Sequence, residues 1–186
     1  MMLIERKWSM PNGKTFRMTP IRELIRDELV PGTVLDPFAN EASIREVMTD
    51  EQTYITNDLD PAHDTDYTLD AIDFLKQFGD RSVDMVLYDP PYSPRQIADH
   101  YADLGKTVNM QTTQSSYWAR QKVEIARILK PGGKVITCGW NSGGMGKKHG
   151  FKIKRILLVP HGSWHNDTIC TVEVKDPQAT DQQSLF

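Results

Sequence analysis

Residues 83–92 read Val83-Asp84-Met85-Val86-Leu87-Tyr88-Asp89-Pro90-Pro91-Tyr92. The first six positions form a nearly continuous apolar run, the pattern of a strand buried on both faces of a parallel sheet. Two prolines then stop the strand, fix the backbone and remove two amide donors. What remains beside the Tyr92 ring is a pair of pure acceptors, the Asp89 carboxylate and the Pro90 carbonyl. Such a pair suits a planar amine. An exocyclic amino group shares its lone pair with its ring, and two acceptors drawing on its two hydrogens favour a pyramidal nitrogen able to attack an electrophile. An aromatic face at Tyr92 would hold the ring in place.

Short apolar runs at 33–36 and 54–58 also end in acids, Asp36 and Asp58. Helical spacing of apolar residues predicts helices over 69–78, 94–104 and 116–129, and an earlier one over 20–29, with Thr19 as candidate N-cap and Pro20 in the first turn. After the turn Lys130-Pro131-Gly132-Gly133 a strand is expected over 134–140, and two more over 151–160 and 168–175, too close together for an intervening helix and so paired antiparallel. The pattern predicts a single α/β domain: a doubly wound, Rossmann-like sheet of seven strands, mostly parallel, the last antiparallel. In such a sheet ligands bind beyond the carboxyl ends of the strands, where Asp36, Asp58 and Asp89 fall. These acids would accept hydrogen bonds from a ribose and from amines. A phosphate-rich nucleotide would be repelled, and neither glycine-rich phosphate loop (G-x-G-x-x-G or G-x-x-x-x-G-K-[ST]) occurs.

Composition agrees with one globular domain: 186 residues, 39% hydrophobic, 22 Lys plus Arg against 25 Asp plus Glu, formal net charge -3. With no long apolar stretch and no secretory pattern, the expected location is the cytoplasm. Cys138 and Cys170 are too few for a disulfide or cysteine-zinc scaffold, and we read both as core residues in neighbouring strands. No metal is expected. The net charge excludes adhesion to nucleic acid by bulk charge, so a polyanion would have to meet a local patch.

With these motifs assembled, the chain resembles the S-adenosylmethionine-dependent amino-methyltransferases of DNA, above all the adenine-N6 enzymes of D-P-P-Y type, in a small phage-like form without a separate target-recognition domain. The resemblance spans roughly residues 15–175. It rests on Asp89-Pro90-Pro91-Tyr92, on Val34-Leu35-Asp36-Pro37-Phe38-Ala39, on Asn57-Asp58-Leu59-Asp60-Pro61, on Asp70-Ala71-Ile72-Asp73-Phe74 and on Leu129-Lys130-Pro131-Gly132-Gly133. It implies methyl transfer to adenine N6 in an extruded base by direct in-line displacement, with no covalent enzyme intermediate. It implies a catalytic set of Asp89, Pro90, Pro91 and Tyr92. Asp36, Pro37 and Phe38 would meet the methionine part of the cofactor, Asp58 its ribose, Asp70 and Ala71 its adenine, Thr19 would lie near its carboxylate, and Asp89 would border cofactor and acceptor alike.

Two departures stand out. The family reads D-P-F-x-G-x-G, and here Ala39-Asn40-Glu41-Ala42 carries no glycine. No target-recognition domain follows residue 175, so sequence reading would fall to the segment 93–122, with Arg95, Gln96, Gln111, Gln114 and Tyr117, or to a homodimer or recognition partner. Nucleic-acid contacts are expected from Lys147 and Lys148, which open a run through Lys152, Lys154 and Arg155 with no acid, and from Trp164 and His165 in the turn between the last strands. His161 and His165 have metal-ligand spacing without a completing ligand. A polar tail, 176–186, is expected to be disordered. Rival readings are the same chemistry on cytosine N4, an RNA base or a glutamine side chain, and a catalytically silent subunit that binds cofactor or nucleic acid.

Overall fold

The computed structural model describes residues 1–41, 44–105, 116–162 and 165–178. Among them β1 (Leu3–Arg6), β2 (Gly32–Asp36), β3 (Gln52–Thr56), β4 (Val83–Tyr88), β5 (Leu129–Gly139), β6 (Phe151–Val159) and β7 (Thr168–Lys175) form one sheet in the order β1-β6-β7-β5-β4-β2-β3. β7 runs antiparallel to both neighbours and every other pairing is parallel. The α/β architecture and the antiparallel last strand agree with the sequence reading.

The alternation of side chains along the central strands divides the core between two faces. Val34, Met85, Leu87, Ile136 and Cys138 point to one face, where Ile21, Leu24 and Ile25 of helix α1 (Thr19–Glu28) cover them. Leu35, Val86, Tyr88 and Val135 point to the other, beneath Phe74 and Leu75 of α2 (Ala71–Leu75) and Ile125 and Ile128 of α4 (Ser116–Ile128). Helix α3 (Pro94–Asp103) packs apart from both, with Ile97 and Tyr101 against Tyr117. Cys138 and Cys170 are cross-strand neighbours and both are buried.

Several local expectations change. β1 was not read from the sequence: it is four residues long, mostly exposed, and pairs only with β6. β5 begins at Leu129, because the Lys130–Gly133 turn is a bulge within the strand and not a loop before it: Val83 pairs with Leu129 and Met85 with Lys134. A Cβ at Gly133 would approach the Lys130 carbonyl to 2.9 Å and the Asp84 carbonyl to 3.1 Å, so the bulge requires glycine there. Thr19 is the first residue of α1 and not its cap; the extended residue before the helix is Met18. Asp176 is held by its amide to the Gly150 carbonyl and by an ion pair to Lys152, so the tail departs later than expected. Residues 179–186 lie outside the described residues.

The strand order places the site. From β2 the chain passes outward to β3 and returns to β4 on the other side of β2, so the carboxyl ends of β2 and β4 flank a crevice where the winding reverses. Asp36 ends β2 and Asp89 follows β4. No helix among the described residues is long and apolar enough to cross a membrane.

Candidate functional site

A cavity of about 330 Å³ opens at this crevice. Its wall includes Pro37, Phe38, Asp58, Asp70, Ala71 and the whole Asp89–Tyr92 turn, so residues scattered over more than fifty positions of sequence meet in one place. Asp58, Asp70 and Asp89 are its carboxylates, and Lys14 is the one basic residue among the described lining residues.

Each acid is held by local chemistry. Asp36 is fully buried behind the wall, accepting from the Tyr54 hydroxyl at 2.7 Å and the Phe38 amide at 3.2 Å. Burial pushes its carboxyl up to about 7, against the opposing pull of these two donors, and the nearby Asp89 and Asp58 add to the rise. Its side chain therefore shapes the turn that presents Pro37 and Phe38, and does not itself line the cavity. Asp58 accepts from the Asn40 and Asp60 amides, each at 2.9 Å, and its oxygens retain further lone pairs. Asp70 caps α2 through the Ile72 amide at 3.0 Å and accepts from the Tyr101 hydroxyl, which brings α3 over the cavity.

Asp89 accepts from the Tyr92 hydroxyl at 2.5 Å, and that hydroxyl lies 3.4 Å from Thr15 Oγ1. Burial raises the Asp89 carboxyl above the usual range, while the Tyr92 and Thr15 hydroxyls hold it down. The Trp118 indole donates to the Pro91 carbonyl at 2.9 Å, and the Tyr92 amide donates to Gln96 Oε1 at 2.6 Å, so the turn is pinned from α3 and α4.

The missing glycines have a structural answer. Asn40 stands at the first of the two glycine positions and takes φ 50°, the left-handed region that glycine would supply and that asparagine tolerates better than most residues. The loop is further tied by Glu41, which pairs with Lys14 and Arg17 of the N-terminal segment. That segment, Gly13 to Phe16, forms a wall of the cavity, as do Gln96, Ile97, Tyr101 and Tyr117. Sequence reasoning assigned none of Lys14, Thr15 or Tyr101 to the site. The only local signal was the Asn12-Gly13 turn, which says that the chain bends and not what it bends toward.

Other candidates lie elsewhere. Thr19 is exposed and outside the cavity wall. Lys147 and Lys148 are exposed in a single helical turn just before β6. Because β6 runs parallel to β5, its start lies at the rim opposite Asp89: Lys152 is level with Lys134 through their common partner Val174. The expected placement of these lysines at the active rim is therefore corrected by topology. The run is also not free of acids in space, since Lys152 pairs with Asp176 and Arg155 with Glu5, Asp27 and Glu28. His165 is exposed in the β6–β7 turn on the Asp89 side; Trp164 lies outside the described residues, as do Gln111 and Gln114. His161 is buried with Nδ1 2.9 Å from the Ser9 carbonyl and Nε2 2.9 Å from Thr168 Oγ1, so both ring nitrogens serve the fold and the metal spacing carries no site.

Comparison of the whole structure with solved ones is decisive for the fold. TrmN from Thermus thermophilus superimposes with a TM-score of 0.55 at 18% identity over 85% of this chain, which spans about half (49%) of that protein. A SAM-dependent methyltransferase from Archaeoglobus fulgidus matches with 0.57 at 12% identity, covering 87% of this chain and 97% of that one. The chain has the methyltransferase fold. A third structure with this fold, 1,6-didemethyltoxoflavin-N1-methyltransferase from Burkholderia thailandensis with bound S-adenosylhomocysteine, matches at 0.56 and 13% identity over 85% of this chain and 77% of that one. No protein-family model and no curated protein sequence matches the chain.

Proposed function

We propose that this protein transfers a methyl group from S-adenosylmethionine to the exocyclic N6 amine of adenine in DNA. The observation that carries the reading is the Asp89–Tyr92 turn at the winding reversal, with a half-buried carboxylate, a Pro90 carbonyl and an aromatic ring on the wall of a cavity lined by two further acids.

The donor set fits the cofactor. Three carboxylates in one cavity favour a ligand rich in hydrogen-bond donors and positive charge, and Lys14, which also pairs with Glu41, is the one cation on the described wall. In this reading Asp58 accepts from ribose hydroxyls, Asp70 from an adenine amine with Ala71 beside the ring, and Pro37 and Phe38 flank the methionine chain. Lys14 takes the place that the sequence assigned to Thr19. The bound cofactor would supply a methyl group already activated on a sulfonium, so the protein's part is alignment and exclusion of water. Asp89 and the Pro90 carbonyl accept the two amine hydrogens and turn the nitrogen lone pair out of conjugation. The proton released as the new N–C bond forms can pass to Asp89, whose raised pKa makes it a better proton acceptor than an ordinary carboxylate.

Asn40 in the left-handed conformation weighs against the silent-subunit alternative, because the loop keeps the backbone shape that glycine would give. Labelled-methyl transfer to DNA, RNA and protein, with mass analysis of the product, tests the proposal. Label on adenine N6 in DNA supports it; label confined to cytosine, RNA or a glutamine side chain replaces it.

A further inference from the structure

Helix α3 is tied to the site at two points. Near its start, Gln96 Oε1 accepts from the Tyr92 amide at 2.6 Å, and near its end the Tyr101 hydroxyl donates to Asp70 Oδ2. The two residues stand about 7.5 Å apart along the helix axis, so a rigid element joins the catalytic turn to the acid beside α2. Gln96, Ile97 and Tyr101 all line the cavity, which makes α3 its roof. Ile97 and Tyr101 pack with Tyr117, Leu59 and Trp118 in a small apolar cluster separate from the cores on the two sheet faces. An element held by so little buried apolar surface opens at less cost than the strands beneath it.

Asp70 has room for a second donor. Its Oδ1 accepts from the Ile72 amide and its Oδ2 from Tyr101, which leaves a lone pair on each oxygen. In the proposed function an adenine amine of the cofactor takes one of them, so the roof and the cofactor bind the same carboxylate. Burial and the hydrogen bond to Asp70 push the Tyr101 phenol well above its ordinary range, and it therefore stays a donor.

Resting on the proposed methyl transfer, we infer that α3 is a roof latched to Asp70 by Tyr101, and that Tyr101 is a positioning residue coupling closure over the cofactor to the Asp89–Tyr92 turn. The latch opens for the cofactor to enter or leave. Opening swings α3 about Ser93 and Pro94 and takes Gln96 away from the Tyr92 amide. Closing returns it, so the turn is fully pinned only over a covered cofactor. The bond from the Trp118 indole to the Pro91 carbonyl comes from α4 and holds the turn in either state.

The test uses Tyr101→Phe, Gln96→Ala and the double variant in the full chain. Phenylalanine keeps the ring in its cluster and Gln96 is exposed, so both changes leave the fold intact. Two readouts are compared: the release rate of labelled S-adenosylhomocysteine chased with unlabelled compound, and the single-turnover rate of methyl transfer to DNA, which is independent of product release. Tyr101→Phe should speed release about tenfold or more, the scale of a lost hydrogen bond to a charged group. Gln96→Ala should leave release unaltered. Each single variant should slow the single turnover by roughly threefold to tenfold, the scale of one hydrogen bond. The double variant should be no slower than the slower single one, because both changes cut the same lever. Wild-type release from Tyr101→Phe overturns the inference, and so do single-turnover losses that multiply in the double variant. Failure of the wild type to bind S-adenosylhomocysteine overturns the proposed function itself.

Discussion

The Tyr92 hydroxyl donates to Asp89 Oδ1 at 2.5 Å, so the two ends of the D-P-P-Y turn are joined by a single hydrogen bond. Tyr92 thereby acts on Asp89 electrostatically as well as offering an aromatic face. The bond favours the ionised carboxylate and opposes the burial that raises its pKa.

Activity should require the Asp89 carboxylate in its ionised form to accept from the amine. Because burial raises its pKa, the acid limb of the kcat profile should fall above the ordinary carboxylate range. Tyr92→Phe removes the donor and should move that limb to still higher pH. An unchanged limb in Tyr92→Phe would separate the hydroxyl from Asp89 ionisation.

Asp89→Ala should abolish methyl transfer while leaving S-adenosylhomocysteine affinity within a few fold, since the residue lies on the rim and not in either core cluster. Circular dichroism and calorimetry separate this outcome from misfolding. Tyr92→Ala should cost about 1 to 3 kcal/mol of acceptor stacking, read from kcat/KM.

Asp36 makes stability depend on pH. Its folded pKa, about 7, lies above the value of about 4 in an unfolded chain, so the folded state binds the proton more tightly. The stability it contributes is full below about pH 4 and is lost as pH rises to about 7. Urea midpoints should therefore fall across that window by more in the wild type than in Asp36→Asn, where the slope should flatten.

Asn40 reports on the loop that replaces the glycines. Asn40→Gly should preserve S-adenosylhomocysteine binding, while Asn40→Val, forced to φ 50°, should lose roughly 1 to 2 kcal/mol of stability or cofactor affinity. Asp58→Ala should weaken cofactor binding by about 1.5 to 3 kcal/mol, the scale of a lost hydrogen bond to a charged acceptor, and should also release the Asn40 amide.

Neutralising Lys147 and Lys148 together should leave the KM for DNA and its salt slope unchanged, because they stand on the rim opposite Asp89. A slope reduced by about 1 per lysine would place DNA on that rim instead.

The strands and the acids at their ends were legible because both are local patterns. An apolar run followed by Asp-Pro-Pro can be read without knowing its neighbours, and a parallel sheet puts every such ending on one rim. The missed strand β1 shows the limit: Leu3–Arg6 has little burial and no alternation, and exists as a strand because β6 offers an edge. Lys14, Thr15 and Tyr101 are silent in sequence for a related reason. Lys14 and Thr15 reach the cavity from the segment between β1 and α1, and Tyr101 from α3, and no spacing encodes that meeting.

The basic run illustrates the converse. In one dimension 147–155 carries five cations and no acid, but folding brings Glu5, Asp27, Glu28 and Asp176 against it and turns it away from Asp89. Residue type and period follow from bonded neighbours and backbone geometry, so a sequence carries them intact. Which charges face each other, which hydroxyl meets Asp70, and which helix roofs the cavity depend on contacts between residues far apart in the chain, and those arise only when burial of the two core faces fixes the strands in their order.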